Sequence, residues 1–402
     1  MTLGIPPRML DMSWHLVSAM DARVQFVADY QRNMFSMTAL CRRYGISRQA
    51  GYETLERYRT CGAAGLAPQS RRPEHSPSAT DDDIVKLIIG LRGRHPSFGP
   101  KKLLRVLRQR HRRADWPAAS TVALILKREG LIAPHRRRTE HRADVPTAHI
   151  VPAAPNELWS VDFKGQFRTA DRRYCYPLTI ADRFSRYLLD CYGMLAPTEA
   201  GTFARFRHVF EVFGLPDAMR SDNGVPFAST ALAGLSHLSV WWLRLGIRLD
   251  RIRRGHPEEN GSHEYMHRVL KRETASPPAP TCHHQQRRFD EFRPFYNYVR
   301  PHEALGQVVP GDLYRPSVRS LPGRLPAIEY PGHFEVRRVT YGNFSWHGHA
   351  VFLTHVLNGE PIGLEEIDDG IWTVYFCHQP IGRFDARTNH VTETHEQPGS
   401  NE

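Results

Sequence analysis

The sequence predicts a multidomain chain with an all-α N-terminal part, a central α/β part and a small β part at the C-terminus. First, its 402 residues exceed the ~100–200 residues of an ordinary domain. Second, proline-rich stretches at 66–81, 133–156 and 316–331 interrupt the chain where linkers are expected. Third, apolar residues recur with helical spacing before the second linker, and with mixed and then strand spacing after it.

The linkers delimit four predicted domains. Hydrophobic residues make up 41% of the chain, which is enough for folded cores. No apolar run approaches the ~18 residues that a membrane-spanning helix needs, and the N-terminus lacks a charged-then-apolar signal pattern. The six cysteines include no C-x-x-C pair, which favours reduced thiols in a cytoplasmic chain. The predicted domains are 1–65, 82–132, 155–315 and 330–390.

Positive charge is concentrated in the N-terminal third. Residues 1–150 carry a net charge of +13, whereas the whole chain carries +12 and residues 330–402 carry −6. Concentrated Lys and Arg bind polyanions by releasing condensed counterions, and DNA or RNA is the usual partner. A soluble basic face without a partner is the alternative.

The first domain contains three predicted helices, near 21–33, 37–44 and 48–58, in the order of a helix-turn-helix. Gly45 permits a left-handed turn after the second helix, and Ser47 can cap the third. The third helix would lie in the major groove, where Arg48 and Gln49 at its start would contact bases. Short helix–glycine–helix joins are common, so the pattern alone does not establish DNA binding.

The second domain repeats this plan as a second helix-turn-helix unit. Helices are predicted after the caps at 80–83, from Pro100 and from Pro117, because proline is favourable at the first helical position. Lys101 and Lys102 begin a strongly basic helix and are predicted DNA contacts. Basic residues in the last turn also suit the helix dipole, so some of these charges have a structural explanation. Two basic units in tandem nevertheless favour double-stranded DNA as the partner.

The third segment changes to an α/β pattern. Trp159, Val161 and Phe163 alternate with polar residues, which places them on one face of a strand. Further strands and helices follow in the predicted order β-β-β-α-β-α-β-α. This order is typical of a layered α/β domain with an antiparallel start.

Three carboxylates occupy informative positions in this segment. Asp162 lies on the first strand, Asp222 at the end of a later strand and Glu264 on the first turns of the final helix. A fourth, Asp182, is predicted to pair with a nearby arginine and shape a turn. Any triple can be chosen among 42 acidic residues, but ordered strings surround two of these three. They are S-D-N-G-V-P-F (221–227) and H-P-E-E-N-G-S-H-E-Y-M-H-R-V-L-K-R-E (256–273).

With these strings and the later run R-P-H-E-A-L (300–305), residues 155–315 strongly resemble the integrase core of insertion-sequence transposases. Those enzymes are relatives of retroviral integrases, with an RNase H-like fold and a DDE triad. The resemblance implies a transposase that binds the ends of its mobile element and transfers DNA strands. It also implies a bacterial, nucleoid-associated location, and joining two ends implies at least a homodimer in the synaptic complex.

The resemblance further implies that Asp162, Asp222 and Glu264 hold two Mg²⁺ ions, for which Mn²⁺ can substitute. Carboxylate oxygens are the hard ligands that Mg²⁺ prefers. Two ions ~3.5–4 Å apart can activate the attacking oxygen and stabilise the leaving oxygen of an in-line displacement. Water would first free a 3′-OH at the element end, and this 3′-OH would then attack a phosphodiester of target DNA.

Basic residues follow Glu264 along the same helix. Arg268 and Lys271, at i+4 and i+7, lie on its face and are predicted to contact DNA phosphates beside the metals. An ordinary Glu–Arg pair on the helix surface is the alternative. His256 and His267 are predicted to form hydrogen bonds or contact DNA rather than bind metal.

The last segment alternates as strands do, and D-D-G at 368–370 is typical of a hairpin turn. We predict a small β-barrel, which the resemblance also implies. Its negative charge argues against independent DNA binding, and our hypothesis is that it holds subunits together at paired DNA ends.

Two rival functions stay open at this point. One is a DNA-binding regulator derived from a transposase with an inactive core, which the intact triad disfavours. The other is an RNase H-like nuclease that cuts without joining, which the tandem DNA-binding units disfavour.

Overall fold

The structure is a computed structural model that describes residues 19–68, 79–111, 115–132, 150–163, 165–252 and 261–393. The chain divides at residue 80 into two units, 1–79 and 80–402. Within the described ranges, no helix is both long enough and apolar enough to cross a bilayer.

The first unit contains three helices whose ends are set by small polar residues and glycine. Gly45 ends the second helix with φ of 65°, in the left-handed region that favours glycine. The hydroxyl of Ser47 caps the third helix by accepting the backbone N–H of Ala50 at 3.1 Å. The predicted helix–glycine–helix is therefore confirmed. The helices are α1 (Ala19–Gln31), α2 (Met37–Tyr44) and α3 (Arg48–Cys61).

Three more helices begin the second unit. Asp81 caps the first of them by accepting the N–H of Asp83 at 2.9 Å, and Pro100 stands at the start of the second, as predicted. A shared core that includes Ile88, Leu103 and Leu126 holds the three together. The helices are α4 (Asp82–Arg94), α5 (Pro100–Arg110) and α6 (Ala119–Arg128).

A six-stranded sheet with both pairing senses follows. The strand β1 lies between β3 and β5, β6 extends the sheet beyond β5, and β2 and β4 both pair with β3. The β1–β3, β2–β3 and β3–β4 pairs are antiparallel, whereas β1–β5 and β5–β6 are parallel. The antiparallel start is therefore confirmed. The strands are β1 (Trp159–Phe163), β2 (Phe167–Arg168), β3 (Tyr174–Asp182), β4 (Leu188–Met194), β5 (Ala218–Ser221) and β6 (Arg248–Arg251).

Helices cover both faces of this sheet. On one face, Trp159 and Val161 of β1 join a core with Phe206 and Trp242 from two of the helices. On the other face, two further helices pack through a second cluster that includes Phe289. The side chains of β1 that alternate with Trp159 and Val161 therefore face this second pair. The helices are α7 (Glu199–Phe213), α8 (His237–Arg244), α9 (Gly261–Thr274), α10 (Cys282–Pro294) and the short α11 (Pro310–Leu313).

The C-terminal segment forms an open sheet rather than a barrel. Five strands pair antiparallel in the order β13-β12-β11-β10-β7, and β8 and β9 form a separate hairpin. Among the described residues no ladder joins the edge strands β7 and β13, so the predicted closure into a barrel is not confirmed. The strands are β7 (Glu335–Arg338), β8 (Asn343–Trp346), β9 (His349–Phe352), β10 (Pro361–Asp368), β11 (Ile371–Phe376), β12 (Gln379–Asp385) and β13 (His390–Thr392).

The hairpin and the five-stranded sheet share one core with α8. Phe344 of the hairpin, Phe384 of the sheet and Val240 and Leu243 of α8 are buried together. The apolar face of the sheet is thus covered by the hairpin and by the central domain, which explains how the sheet stays open. The predicted D-D-G turn joins β10 to β11, with Gly370 at φ of 71°.

Candidate active site

Two of the predicted carboxylates stand at neighbouring strand ends. β1 and β5 run parallel with Ser160 opposite Arg220. The same register, continued by two residues, brings Asp162 opposite Asp222, one position beyond the end of β5. Neighbouring strands lie ~4.8 Å apart, so the two residues stand at adjacent strand ends. In open α/β sheets, ligands bind at the carboxyl ends of parallel strands.

Local hydrogen bonds fix the turn that carries Asp222. Its Oδ1 accepts the backbone N–H of Gly224 at 3.1 Å. The Nδ2 of Asn223 donates to the carbonyl oxygen of Ile252 at 2.8 Å, just after β6. The turn is therefore tied to the neighbouring strand, and the half-buried Asp222 side chain sits at a defined place.

Helix α9 presents Glu264 at the edge of this region. Met266 and Leu270 bury the apolar face of the helix in the second cluster, while Glu264 is exposed. One turn later, Nδ1 of His267 lies 3.7 Å from Oδ2 of Asp162. Residues three apart on a helix are neighbours, so Glu264 lies one turn before the histidine that meets Asp162. His256, for which a hydrogen bond or DNA contact is predicted, lies outside the described residues.

A buried hydrogen-bond network joins α9 to β1 and β3. The ring nitrogens of His263 lie 2.8 Å from Oγ of Ser160 and 2.7 Å from Oγ1 of Thr179. Nε2 of His267 lies 2.7 Å from the same Thr179 oxygen, which donates to the backbone carbonyl of Asp162 at 3.1 Å. Burial holds the pKa of His263 well below its usual value, and the neighbouring His267 adds to that shift, so His263 is neutral.

This hydrogen-bond network indicates whether the histidines near Asp162 act as metal ligands. Within the described part of the chain, one group of three candidate ligands gathers within 4.8 Å: Asp162, His263 and His267. Both nitrogens of His263 already contact hydroxyls, so the imidazoles act as hydrogen-bonding groups. This agrees with the hydrogen-bonding role predicted for His267. Asp222 and Glu264 lie outside the group, so the structure does not gather the three predicted carboxylates at ligand spacing.

Sequence reasoning missed His263 as part of this site. The signal was present, because His263 and His267 are four residues apart and therefore share a helix face. What the sequence did not show was the pair of hydroxyls across the sheet that meets them.

Asp182 forms a turn, as predicted, and is not part of the candidate site. Its Oδ1 accepts the N–H of Ser185 at 2.7 Å and its Oδ2 accepts the N–H of Asn156 at 2.8 Å. Burial raises its pKa, although these hydrogen bonds oppose the shift. The residue therefore stabilises the β3–β4 connection.

The predicted base-reading residues lie at the exposed start of α3. Arg48 and Gln49 are both solvent-exposed. Gln49 donates from Nε2 to Oε1 of Glu53 at 2.9 Å. Their place on the helix is that of a recognition helix N-terminus.

The two lysines at the start of α5 point in different directions. Lys101 is exposed, with Nζ 2.8 Å from Oε1 of Glu303. Lys102 is only 9% exposed, in contrast to the surface position that a duplex contact requires. It is buried because the segment after α10 covers α5: there Arg300 donates to Oγ of Ser97 at 2.8 Å.

Arg268 and Lys271 are exposed on α9 beside Glu264. The alternative of a Glu264–Arg268 ion pair is not seen in the structure. Instead, the Arg268 guanidinium lies 5.9 Å from the ring centre of Tyr265. Both cations are therefore available to a partner that approaches the end of β1.

Comparisons with known protein families agree with the arrangement of domains. Two integrase core domain families match the centre of the chain, and the flanking segments match a helix-turn-helix domain, a homeodomain-like domain and a transposase C-terminal domain. The matched residues are 152–257 and 245–310 (integrase core domain), 22–74 (helix-turn-helix domain), 50–126 (homeodomain-like domain) and 334–392 (IS481 family transposase, C-terminal domain).

Relatives come from insertion elements. The chain is 26% identical over 264 residues to the insertion element IS407 uncharacterized 31.7 kDa protein of Burkholderia multivorans, covering 63% of this chain and 89% of that protein. It is 25% identical over 275 residues to the insertion element IS476 uncharacterized 39.2 kDa protein of Xanthomonas euvesicatoria, covering 68% and 76%. The chain also aligns with a chain of a solved simian T-cell lymphotropic virus intasome. The alignment has 17% sequence identity and a TM-score of 0.36, and it covers 71% of this chain and 91% of that chain.

The fold and these matches define a class of protein with N-terminal helix-turn-helix domains, a central integrase-like core and a C-terminal sheet domain. Parts of the chain match integrase core models and the C-terminal domain of IS481 family transposases, and its relatives come from insertion elements, which confirms the resemblance seen in the sequence.

Proposed function

We propose that the protein is a DDE transposase that binds the ends of its element, frees a 3′-OH there and joins it to target DNA. The observation that supports the proposal is the parallel pairing of β1 with β5, which leaves Asp162 and Asp222 at adjacent strand ends; helix α9, which carries Glu264, contacts Asp162 through His267. Joining two ends requires two copies of the site, so the active form is a homodimer or a larger assembly.

Asp162, Asp222 and Glu264 would hold the two Mg²⁺ ions. The chemistry of the donor set fits these ions, because all three donors are carboxylates, the oxygen ligands that Mg²⁺ prefers, while the nearby imidazoles contact hydroxyls. When bound, the ions activate the attacking oxygen and stabilise the leaving oxygen of the phosphodiester.

The other residues of the site position these carboxylates and the DNA. Thr179 contacts both histidines of α9 and the backbone of Asp162, so it fixes the helix that carries Glu264 relative to β1. Arg268 and Lys271 offer exposed cations to DNA phosphates beside the site. Water and the DNA 3′-OH are the nucleophiles, so no nucleophilic Ser or Tyr is required.

The test uses the full chain with Mg²⁺ and a labelled duplex that carries the terminal repeats flanking the gene. We expect a shortened end and a product longer than the substrate, which records joining. Shortened products alone would identify the nuclease. Tight end binding without any cleavage would identify the regulator and contradict the proposed chemistry.

Replacing Arg48 or Gln49 by alanine is expected to weaken binding to the element end by about 1–3 kcal/mol, because each removes a base contact in the major groove. Binding to a random duplex of equal length should change little. Competition fluorescence anisotropy with the two duplexes measures this difference.

Arg59→Ala is the matched control, since Arg59 lies on the last turns of the same helix and its side chain is 65% exposed. It should not alter the preference for the element end. Equal losses on both duplexes for Arg48→Ala and Gln49→Ala would contradict base recognition by α3.

A further inference from the structure

A cavity of about 290 Å³ lies where α5 meets the central domain, beside the candidate active site. Its wall includes Lys102 from α5, Tyr265 from α9 and His302 from the R-P-H-E-A-L run. Tyr265 directly follows Glu264 and is 44% exposed, so the rim of the cavity adjoins the proposed reaction centre. We call this space the Lys102 cavity.

Positive charge in the Lys102 cavity exceeds negative charge. Lys102 and Arg186 line it, and Arg300 lies close enough to influence both Lys102 and His302. The acidic residue of the wall, Glu303, pairs with Lys101 at 2.8 Å. Among the described residues, no carboxylate lies within 4 Å of the charged atoms of Lys102, Arg186 or Arg300.

Two buried polar atoms of the wall are unpartnered. Nη1 of Arg186 and Nε2 of His302 have no hydrogen-bond partner in the described structure, and His302 is 7% exposed. Burial lowers the pKa of Lys102 to about 8, and the neighbouring Arg300 adds to the shift. Burial also lowers the pKa of His302 to about 3, with Lys102 adding to that shift. Unpaired buried cations are costly, and an anion with several oxygens would compensate them.

Three aromatic side chains also line the cavity: Tyr265, Tyr296 and His302. The rings of Tyr296 and His302 meet edge to face at 4.7 Å, and Tyr265 stands at the rim. Aromatic side chains offer surfaces on which nucleic-acid bases stack. A neighbouring cavity of about 370 Å³ shares Lys102 and Glu303 and includes residues at the starts of α5 and α6. The two cavities therefore adjoin at Lys102, between the second helical unit and the integrase core.

We propose that the Lys102 cavity binds one nucleotide of the DNA strand next to the reacting phosphodiester, with its phosphate held by Lys102 and Arg186. This inference rests on the proposed function, since it places the strand beside Glu264. It also gives Lys102 a role that its buried position denies it on the duplex surface. The R-P-H-E-A-L run then has two tasks, because Arg300 anchors α4 and α5 while His302 lines the nucleotide site.

The test is a scan of element-end duplexes that each carry one neutral methylphosphonate near the cleavage position. For the native chain, we expect one position at which the neutral linkage weakens binding and lowers the salt slope of log K by about 1. For Lys102→Met with the unmodified duplex, the slope of log K against the logarithm of salt concentration should be lower than the native slope by about 1. Methylphosphonate at that one position should then have no further effect. Arg186→Met should identify the same position.

Two controls distinguish a lysine that binds a nucleotide from a lysine that only stabilises the fold. Lys86→Met, on the neighbouring helix α4 with its side chain 76% exposed, should keep the native salt slope and the native methylphosphonate pattern. Lys102→Met should melt at or above the native temperature, because it removes a buried, unpaired charge. A lowered melting temperature with weakening at every position would overturn the proposal.

Other outcomes are equally decisive. If the native chain joins DNA but no methylphosphonate position depends on Lys102, the cavity assignment fails and the proposed function stands. If the native chain neither cleaves nor joins DNA, both fail. If millimolar inorganic phosphate raises the melting temperature of the native chain but not of Lys102→Met, and leaves the affinity for the element end unchanged, the cavity binds free phosphate and the DNA assignment is overturned.

Discussion

Asp162→Asn and Asp222→Asn are each expected to slow strand transfer by on the order of 10³-fold or more, because each removes a charged ligand of the proposed metal site. The double variant should be little slower than either single one, because residues that act as one unit lose their shared function only once. Single-turnover joining of a pre-cut element end measures these rates. Affinity for the end should stay within about threefold of the native value, since phosphate contacts dominate it.

Asp217→Asn is the matched control for this pair. Asp217 lies just before β5, its side chain is 51% exposed and it pairs with Arg319 at 3.1 Å. The same change there should leave the joining rate within a few-fold of native. If the double variant lost joining rate by the product of the two single losses, Asp162 and Asp222 would act independently. That result would contradict a shared site at the ends of β1 and β5.

Asp250→Asn is expected to lower the free energy of unfolding by about 3 kcal/mol or more. Asp250 lies opposite Arg220 on β6 and β5, with a charged hydrogen bond of 2.6 Å between them. The two side chains are 8% and 5% exposed, so the loss of one charge leaves the other buried and uncompensated. The shift in the guanidinium chloride midpoint, followed by tryptophan fluorescence, measures the effect, since Trp159 and Trp242 are buried in this domain.

The same Asp217→Asn variant serves as the comparison for stability. Its ion pair with Arg319 is partly exposed, and such pairs contribute about 0–1 kcal/mol. An equal midpoint shift in the two variants would show that burial of the Arg220–Asp250 pair does not matter. Because Arg220 is two residues from Asp222, Asp250→Asn should also reduce joining.

Local chemistry explains why the sequence was informative about the fold. The left-handed residue Gly45 and the cap Ser47 act within a few residues, so their roles could be predicted without tertiary contacts. The same holds for the alternation around Trp159 and Val161, which correctly assigned the buried face of β1. The antiparallel start of the sheet was predicted from the succession of strands at short spacing.

Features that depend on distant contacts could not be predicted in this way. Lys102 lies next to the apolar residues of α5 in the sequence. Its side chain is buried because the segment around Arg300, which is distant in the sequence, packs against this part of the chain. Strand alternation in the last segment predicted β structure, but alternation does not say whether edge strands pair. There the hairpin and α8 cover the apolar face, so closure into a barrel is not needed.

The residues of the candidate site also divide into those that the local sequence predicted and those that depend on distant contacts. Asp162 was chosen from its place on the first strand and Asp222 from a strand end with an ordered string around it, and the structure shows that their strands are neighbours. His263 was missed because its partners, Ser160 and Thr179, come from two strands far away in sequence. A pattern on one helix indicates which side chains share a face, whereas the groups that meet that face come from the folded sheet.

The most direct test of the central claim is strand transfer by the native chain and by Glu264→Gln over a range of Mg²⁺ concentrations. Glu273→Gln is the control, because it makes the same change nine residues along the chain, at the other end of α9. We expect joined products from the native chain and from Glu273→Gln, loss of these products with EDTA, and none from Glu264→Gln at any Mg²⁺ concentration despite native-like end binding. Joining by Glu264→Gln at a native rate would contradict the account.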